Sequence, residues 1–174
     1  MIFNKNRLFH KLNLKTELKN KKAEIVKDIL KSKSEAGDYK TRGYNFEIFT
    51  KYNDYLYDLF IKKSKKLLNY FTIQDSPLKI WCYFTGPNDI EKDIWHNHRR
   101  TSNINSVIYL ETVKDHGIKF KMDEESWYVE PKNFDLLIFP GFLNHQPVTS
   151  TTQQRISLNL ELKCNEQDKD IFGL

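Results

Sequence analysis

The chain lacks most of the features that would place a protein quickly. No apolar run approaches the ~18 residues of a membrane-spanning helix. The N-terminal stretch MIFNKNRLFHKLNLK has no apolar core of the kind a secretory signal needs. These absences give the expectation of a cytoplasmic protein, in a host cytoplasm if it is viral, with no membrane partner. Cysteine is scarce: Cys82 and Cys164 are the two present, and they fit no Cys-x-x-Cys spacing. A disulfide scaffold is therefore not expected, and a reducing interior is. Internal repeats and low-complexity tracts are missing as well. Arginine is used far less than lysine, and asparagine is abundant, a bias that reflects AT-rich coding more often than function.

What remains describes one globular domain. The 174 residues are 39% hydrophobic and 14% aromatic, enough for a real core over residues 1–174. Charge is uneven. Residues 1–70 carry 17 Lys and Arg against 8 Asp and Glu, a net +9, whereas residues 71–174 carry a net −4, together the +5 of the chain. A basic first part could meet a polyanion. Lys62, Lys63, Lys65 and Lys66 read more simply as the solvated face of a helix, because no arginine or aromatic pattern of base readout accompanies them.

The first 74 residues read as helical. Leu14, Leu18, Ile25, Ile29 and Leu30 fall mostly at helical intervals, predicting a helix over 14–30. Phe49, Tyr52, Leu56, Leu59 and Phe60 predict a second within 46–70. Gly37 and Gly43 mark the loop between them. After Asp75-Ser76-Pro77 the texture changes to short strands, at 78–84, 105–112, 118–121, 127–130, 135–139 and 155–163. Turn signals separate them at Gly86-Pro87, Asp115-His116-Gly117, Pro131-Lys132-Asn133 and Pro140-Gly141. Helices followed by strands, without alternation, predict an α+β domain that is mainly β. The expected architecture is a cupin-like jelly roll over 78–163, with N-terminal helices packed on one sheet.

The last strand is the most legible. Ile156, Leu158, Leu160 and Leu162 alternate with Arg155, Ser157, Asn159 and Glu161. Side chains alternate across a strand, so Arg155, Ser157 and Asn159 share the face opposite the aliphatics. On an inner wall they would line a polar pocket; on an outer wall they would be wet.

Candidate metal ligands come from two places. His96 and His98 lie two apart, on one side of an extended segment, and His145 stands ten residues before Arg155. Neutral imidazole suits iron, zinc, copper and nickel. Three such ligands leave coordination positions open, as catalysis requires. The guanidinium of Arg155 matches a carboxylate bidentately, Ser157 could add a hydrogen bond, and Tyr83 could offer a phenol. This set could hold the far carboxylate of a small dicarboxylic acid whose other end reaches the metal. Arg155 could instead be a salt-bridge partner of Glu130 or Asp135, and Tyr83 a plain strand aromatic. His10 and His116 read as structural or solvated, Trp95 as packing, and the two cysteines as ordinary thiols.

The ordered series Tyr83, Gly86, His96-x-His98, Tyr109-Leu110, Gly117, Phe120, Pro131, Phe139-Pro140, His145 and Arg155-x-Ser157 resembles the non-haem iron, 2-oxoglutarate-dependent oxygenases. Within them it resembles the small prolyl-hydroxylase-like branch common in phages and bacteria. The resemblance covers about residues 78–163 and implies a double-stranded β-helix. It also implies that Fe(II) is bound by His96, His98 and His145, and that the cosubstrate 2-oxoglutarate is bound by Arg155, Ser157, Tyr83 and Asn159. Dioxygen would then be used to decarboxylate 2-oxoglutarate to succinate and hydroxylate a substrate C–H bond. Three departures stand out. His98 occupies the position where most of the superfamily has Asp or Glu, with Asp93 as a nearby substitute carboxylate. Asn133-Phe134 replaces a glycine after Pro131, and Gly117 is all that remains of a double glycine before Phe120.

Two other function classes fit parts of the pattern. One is a cupin-like metal- or ligand-binding module without oxygenase turnover; the other is a nucleic-acid-associated protein using the basic N-terminal part. The primary substrate could be a protein side chain, a nucleic acid or a metabolite. The segments expected to face it are 87–95 and 99–103, where Arg99-Arg100 hints at an anion.

Overall fold

A computed structural model of the chain describes residues 8–35, 51–74, 79–85, 94–148 and 153–174. The sequence signals at Gly37, Gly43, Asp75–Pro77, Gly86-Pro87 and Asp93 lie outside these residues.

Among the described residues, eight antiparallel strands form two sheets. They are β1 (His10–Asn13), β2 (Lys79–Thr85), β3 (Ile104–Glu111), β4 (Gly117–Met122), β5 (Glu125–Val129), β6 (Asp135–Pro140), β7 (Asn144–Val148) and β8 (Arg155–Leu162). The larger sheet has the order β1-β6-β3-β8-β2, and the smaller one β5-β4-β7. The six strands expected from alternation are all present, within two residues at each end. Two more were not foreseen. β1 is four residues long, and it brings the N-terminal part, expected to be helical only, to the edge of the larger sheet beside β6. β7 reads NHQPV, polar and proline-bearing. Pro147 is tolerated because β7 ends the order of the smaller sheet, where a missing N–H breaks no ladder.

Four helices among the described residues accompany the sheets: α1 (Lys15–Leu18), α2 (Lys22–Glu35), α3 (Asn53–Leu67) and α4 (Asp168–Phe172). The helix expected over 14–30 is two helices broken at Lys19–Lys21. There Lys21 N–H donates to the Leu18 carbonyl, closing a tight turn at 3.0 Å. Three lysines crowd around Asn20 at the break, where like charges and a weak helix former both oppose continuation. The bend lets Leu14, Leu18, Ile25 and Ile29 all reach one core. The helix expected within 46–70 starts at Asn53 and ends at Leu67; residues 46–50 of that expectation lie outside the described residues. Its buried residues Leu56, Leu59, Phe60 and Ser64 keep the i, i+3, i+4, i+8 stripe of an amphipathic helix.

The larger sheet is buried on both sides. Its outer face carries Ile104, Ile108, Leu136, Ile138, Ile156, Leu158, Leu160 and Leu162, packed under the helices in one core. Its inner face carries Val107, Tyr109, Leu137 and Phe139, which meet Ile118, Phe120 and Val129 of the smaller sheet in a second core. Each fully buried Leu, Ile or Phe contributes about 1.5–3 kcal/mol. Since the aliphatics of β8 lie under the helices, Arg155, Ser157, Asn159 and Glu161 lie on the inner face. Two facing antiparallel sheets with helices covering one of them make a double-stranded β-helix.

Some basic residues of the first part are tied into this scaffold. Lys63 pairs with Glu17 at 2.5 Å, Lys51 with Glu24 and Asp28, and Lys11 with Asp135. Lys62, Lys65 and Lys66 are exposed on α3. No helix among the described residues is long and apolar enough to cross a membrane.

The turn that departs from the glycine pattern is also visible. Phe134 has φ +72°, a left-handed conformation that costs a bulky residue energy and that glycine adopts freely. Three hydrogen bonds hold it. Phe134 N–H donates to the Tyr109 carbonyl, Leu14 N–H donates to the Phe134 carbonyl, and Asn133 accepts from Thr112 N–H.

Candidate metal centre and anion pocket

An isolated backbone bridge to β7 positions two of the histidines. His96 N–H donates to the His145 carbonyl at 3.0 Å, and His145 N–H returns a bond to the His96 carbonyl at 2.8 Å. Residues that exchange both bonds face each other and project to the same side, and these two rings lie with centroids 4.3 Å apart. His98 is fixed by its own N–H on the Gly141 carbonyl at 2.8 Å and by a turn in which Thr101 N–H donates to the His98 carbonyl. Gly141 permits this approach: a Cβ there would stand 2.1 Å from the Ser102 carbonyl oxygen.

The three imidazoles converge. One ring nitrogen from each of His96, His98 and His145 lies within 4.8 Å of the others. The Nδ1 atoms are all engaged elsewhere: that of His96 with the Ile94 carbonyl at 3.1 Å, that of His145 with the Leu143 carbonyl at 3.0 Å, and that of His98 with Glu161 Oε1 at 2.5 Å. An oxygen facing Nδ1 favours the tautomer that protonates it and leaves the Nε2 lone pair available to a metal. Burial, reinforced by the neighbouring His96, pushes His145 down to about 3, so its ring is neutral at ordinary pH as a ligand must be. The His96 ring is shifted down too, mainly by partial burial within the cluster, although the residue is exposed at the cavity mouth.

All three rings open on a cavity of about 320 Å³, which Arg155, Tyr83 and Asn159 also line. Arg155 is 2% exposed, and its guanidinium lies between the rings of Tyr83 and Tyr109, 5.1 and 5.2 Å from their centroids. It does not bridge to Glu130 or Asp135; Asp135 is occupied by Lys11, Asn13 and the Lys132 amide. Among the described residues, Arg155 Nε and Nη1, the Ser157 hydroxyl, the Tyr109 hydroxyl and the Asn159 amide nitrogen are buried without a hydrogen-bond partner. Orphaned donors concentrated in one place are costly unless a ligand accepts from them. A carboxylate fits, with the fork of Arg155 as its principal anchor. The residues present therefore suit both a metal ion and an anionic cosubstrate.

Two residues here were given no site role from the sequence. Tyr109 lies opposite Ser157 in the β3–β8 register and flanks Arg155; burial pushes its phenol up to about 12, so it remains a donor. The alternation of Val107 and Tyr109 against Ile108 and Leu110 was the available signal. Glu161 continues the inner face of β8 beyond Asn159. Other expectations shift. Trp95 is 38% exposed rather than packed. His116 is fully buried beside Asp115, whose φ is +69°, so the structural reading holds and the solvated one does not. His10 stacks on Phe172. Arg99 and Arg100 are exposed in the turn after His98.

No protein-family model matches the chain, and no curated protein matches it. Solved structures do match in fold. A Pseudomonas putida prolyl-4-hydroxylase superposes with a TM-score of 0.64 at 13% identity, over 93% of this chain and 95% of that one. A Trichoplax adhaerens prolyl hydroxylase, solved with a hypoxia inducible factor peptide, gives 0.63 at 15% identity, over 91% and 84%. The viral collagen prolyl hydroxylase of Paramecium Bursaria Chlorella virus-1, solved with 2-oxoglutarate, gives 0.50 at 11% identity, over 93% and 98%. The chain carries the double-stranded β-helix fold of the 2-oxoglutarate- and iron(II)-dependent oxygenases, the fold the sequence resemblance implied.

Proposed function

We propose that the protein is an iron(II)- and 2-oxoglutarate-dependent dioxygenase that hydroxylates a substrate C–H bond. The observation that carries this reading is the meeting, in one cavity, of three converging imidazoles and a buried arginine with unpartnered donors. His96, His98 and His145 would hold the metal through Nε2. Arg155, with Ser157, Asn159 and the phenols of Tyr83 and Tyr109 around it, would take the far carboxylate of 2-oxoglutarate. Bound together, iron(II), 2-oxoglutarate and dioxygen supply the oxidising power, releasing succinate and carbon dioxide. The chain's own part is placement: the imidazoles leave further metal positions open, and Val107, Ile118 and Phe139 give the cavity a dry wall. A protein side chain, a nucleic acid or a metabolite remains a candidate substrate; the fold similarity to prolyl hydroxylases favours the first.

Anaerobic protein loaded with iron(II) should develop a visible charge-transfer band when 2-oxoglutarate is added, and in air should form succinate. A second reading, a cupin-like binding module without turnover, draws support from His98 standing where a carboxylate is usual. Metal and 2-oxoglutarate uptake with no succinate at any oxygen level would favour it over the oxygenase.

A further inference from the structure

The three histidines are held by unlike partners. His96 and His145 each turn Nδ1 to a main-chain carbonyl two residues earlier, a neutral and purely local contact. His98 alone turns Nδ1 to a side chain from a distant strand, Glu161 on β8, at 2.5 Å. Glu161 is 7% exposed, and its Oε1 faces His98 Nδ1. A buried carboxylate is costly unless another group offsets its charge. A metal ion on the far nitrogen of the same ring would do so.

We propose that Glu161 is a positioning residue for the metal, acting through His98; this rests on the three-histidine metal reading above. Its carboxylate accepts from His98 Nδ1–H, fixes the ring so that Nε2 faces His96 and His145, and makes that nitrogen a stronger donor. It also restores charge. In a site of two histidines and one carboxylate, the carboxylate itself supplies a negative charge to the metal. Three imidazoles supply none. Glu161 delivers that charge from one ring further out, so the His98 substitution and the Glu161 contact work as a unit. Because Glu161 lies on the same face of β8 as Arg155, Ser157 and Asn159, one strand would serve both the metal and the cosubstrate.

The test is Co(II) binding to the full chain, followed by visible absorption and calorimetry, with apo unfolding midpoints as a folding control. E161A should weaken Co(II) binding about 10–100-fold and shift the Co(II) absorption bands. E161Q keeps a neutral acceptor for Nδ1–H, so it should lose less and retain the band positions. In an H98A background, E161A should change affinity by less than about twofold, since the route through the ring is gone. Should E161A fail to fold, the near-isosteric E161Q and the H98A/E161Q pair carry the same comparison. Wild-type affinity in both Glu161 variants would overturn the assignment, as would an equal loss with and without His98. Wild-type protein that takes up no Co(II) would instead sink the metal reading itself, and metal binding without succinate would sink only the oxygenase.

Discussion

His96 and His145 are cross-strand partners that exchange both backbone hydrogen bonds, at 3.0 and 2.8 Å, across 49 positions of sequence. The main chain thus sets two of the three candidate ligands before any metal arrives. Replacing either with alanine leaves those bonds intact while removing an imidazole. H96A and H145A should therefore fold, with apo unfolding midpoints near wild type, yet lose at least about 100-fold in Co(II) affinity, more than removing an outer partner costs. Calorimetric titration checks this; tight binding by either variant would remove that histidine from the site.

Arg155 has a separate role in the same cavity. R155A should weaken 2-oxoglutarate binding by about 10–100-fold, the worth of a charge-assisted hydrogen-bonded pair, and leave Co(II) affinity within about twofold. R155K keeps the charge but loses the fork, and should recover only part of the loss. Equal damage to metal and cosubstrate binding would indicate a collapsed pocket rather than a lost anchor.

Gly141 is where the His98 turn and the end of β6 come closest. A methyl group there would sit 2.1 Å from the Ser102 carbonyl oxygen, a backbone atom that cannot rotate away. G141A should cost about 1–3 kcal/mol by overpacking and lower metal affinity by displacing His98. Denaturant unfolding together with Co(II) titration would detect both; wild-type values in the two assays would show the turn to be more yielding than the contact implies.

Both thiols should be inert in the native protein. Burial pushes Cys82 and Cys164 up to about 12, which leaves almost no reactive thiolate at neutral pH. Iodoacetamide at pH 8 should label neither until denaturant unfolds the chain. Rapid native labelling of one cysteine, mapped by peptide mass, would show that its surroundings open.

Asp135 gives a pH dependence with a defined sign. Burial alone would raise its carboxyl, but the Lys132 amide, the Asn13 amide and the Lys11 ammonium outweigh that and hold it below its ordinary value. A folded-state value below the unfolded one stabilises the fold above the usual carboxylate range, and that contribution fades as pH falls through it. D135N should cost about 1–3 kcal/mol at pH 7 and lose less stability than wild type between pH 5 and 3. Parallel loss in the two proteins would assign the acid sensitivity to other groups.

The chemistry of residues close together in sequence was legible from the chain alone. The alternation of Ile156, Leu158, Leu160 and Leu162 with Arg155, Ser157, Asn159 and Glu161 defines a strand with two unlike faces, whatever surrounds it. The helical stripe of Leu56, Leu59 and Phe60 is equally local. β1 and β7 escaped because four residues carry too little pattern and because proline is excluded only from strands paired on both sides. The bend at Lys19–Lys21 escaped because Ile25 and Ile29 continue a plausible helical spacing across it.

Tertiary structure decided what alternation leaves open. A period of two says that Arg155 and Leu158 face opposite ways; it does not say which way is inward. The helices settled that by covering the aliphatic face, which leaves the polar face to the cavity between the sheets. The contact of His98 with Glu161, the clasp of Tyr83 and Tyr109 on Arg155, and the pairing of His96 with His145 all depend on strand register and sheet order. Those are set by the whole core rather than by neighbours in the chain. Side-chain types and their spacing therefore determined the candidate ligands and anchor, and only the packing of the two sheets brought Glu161 and Tyr109 to them.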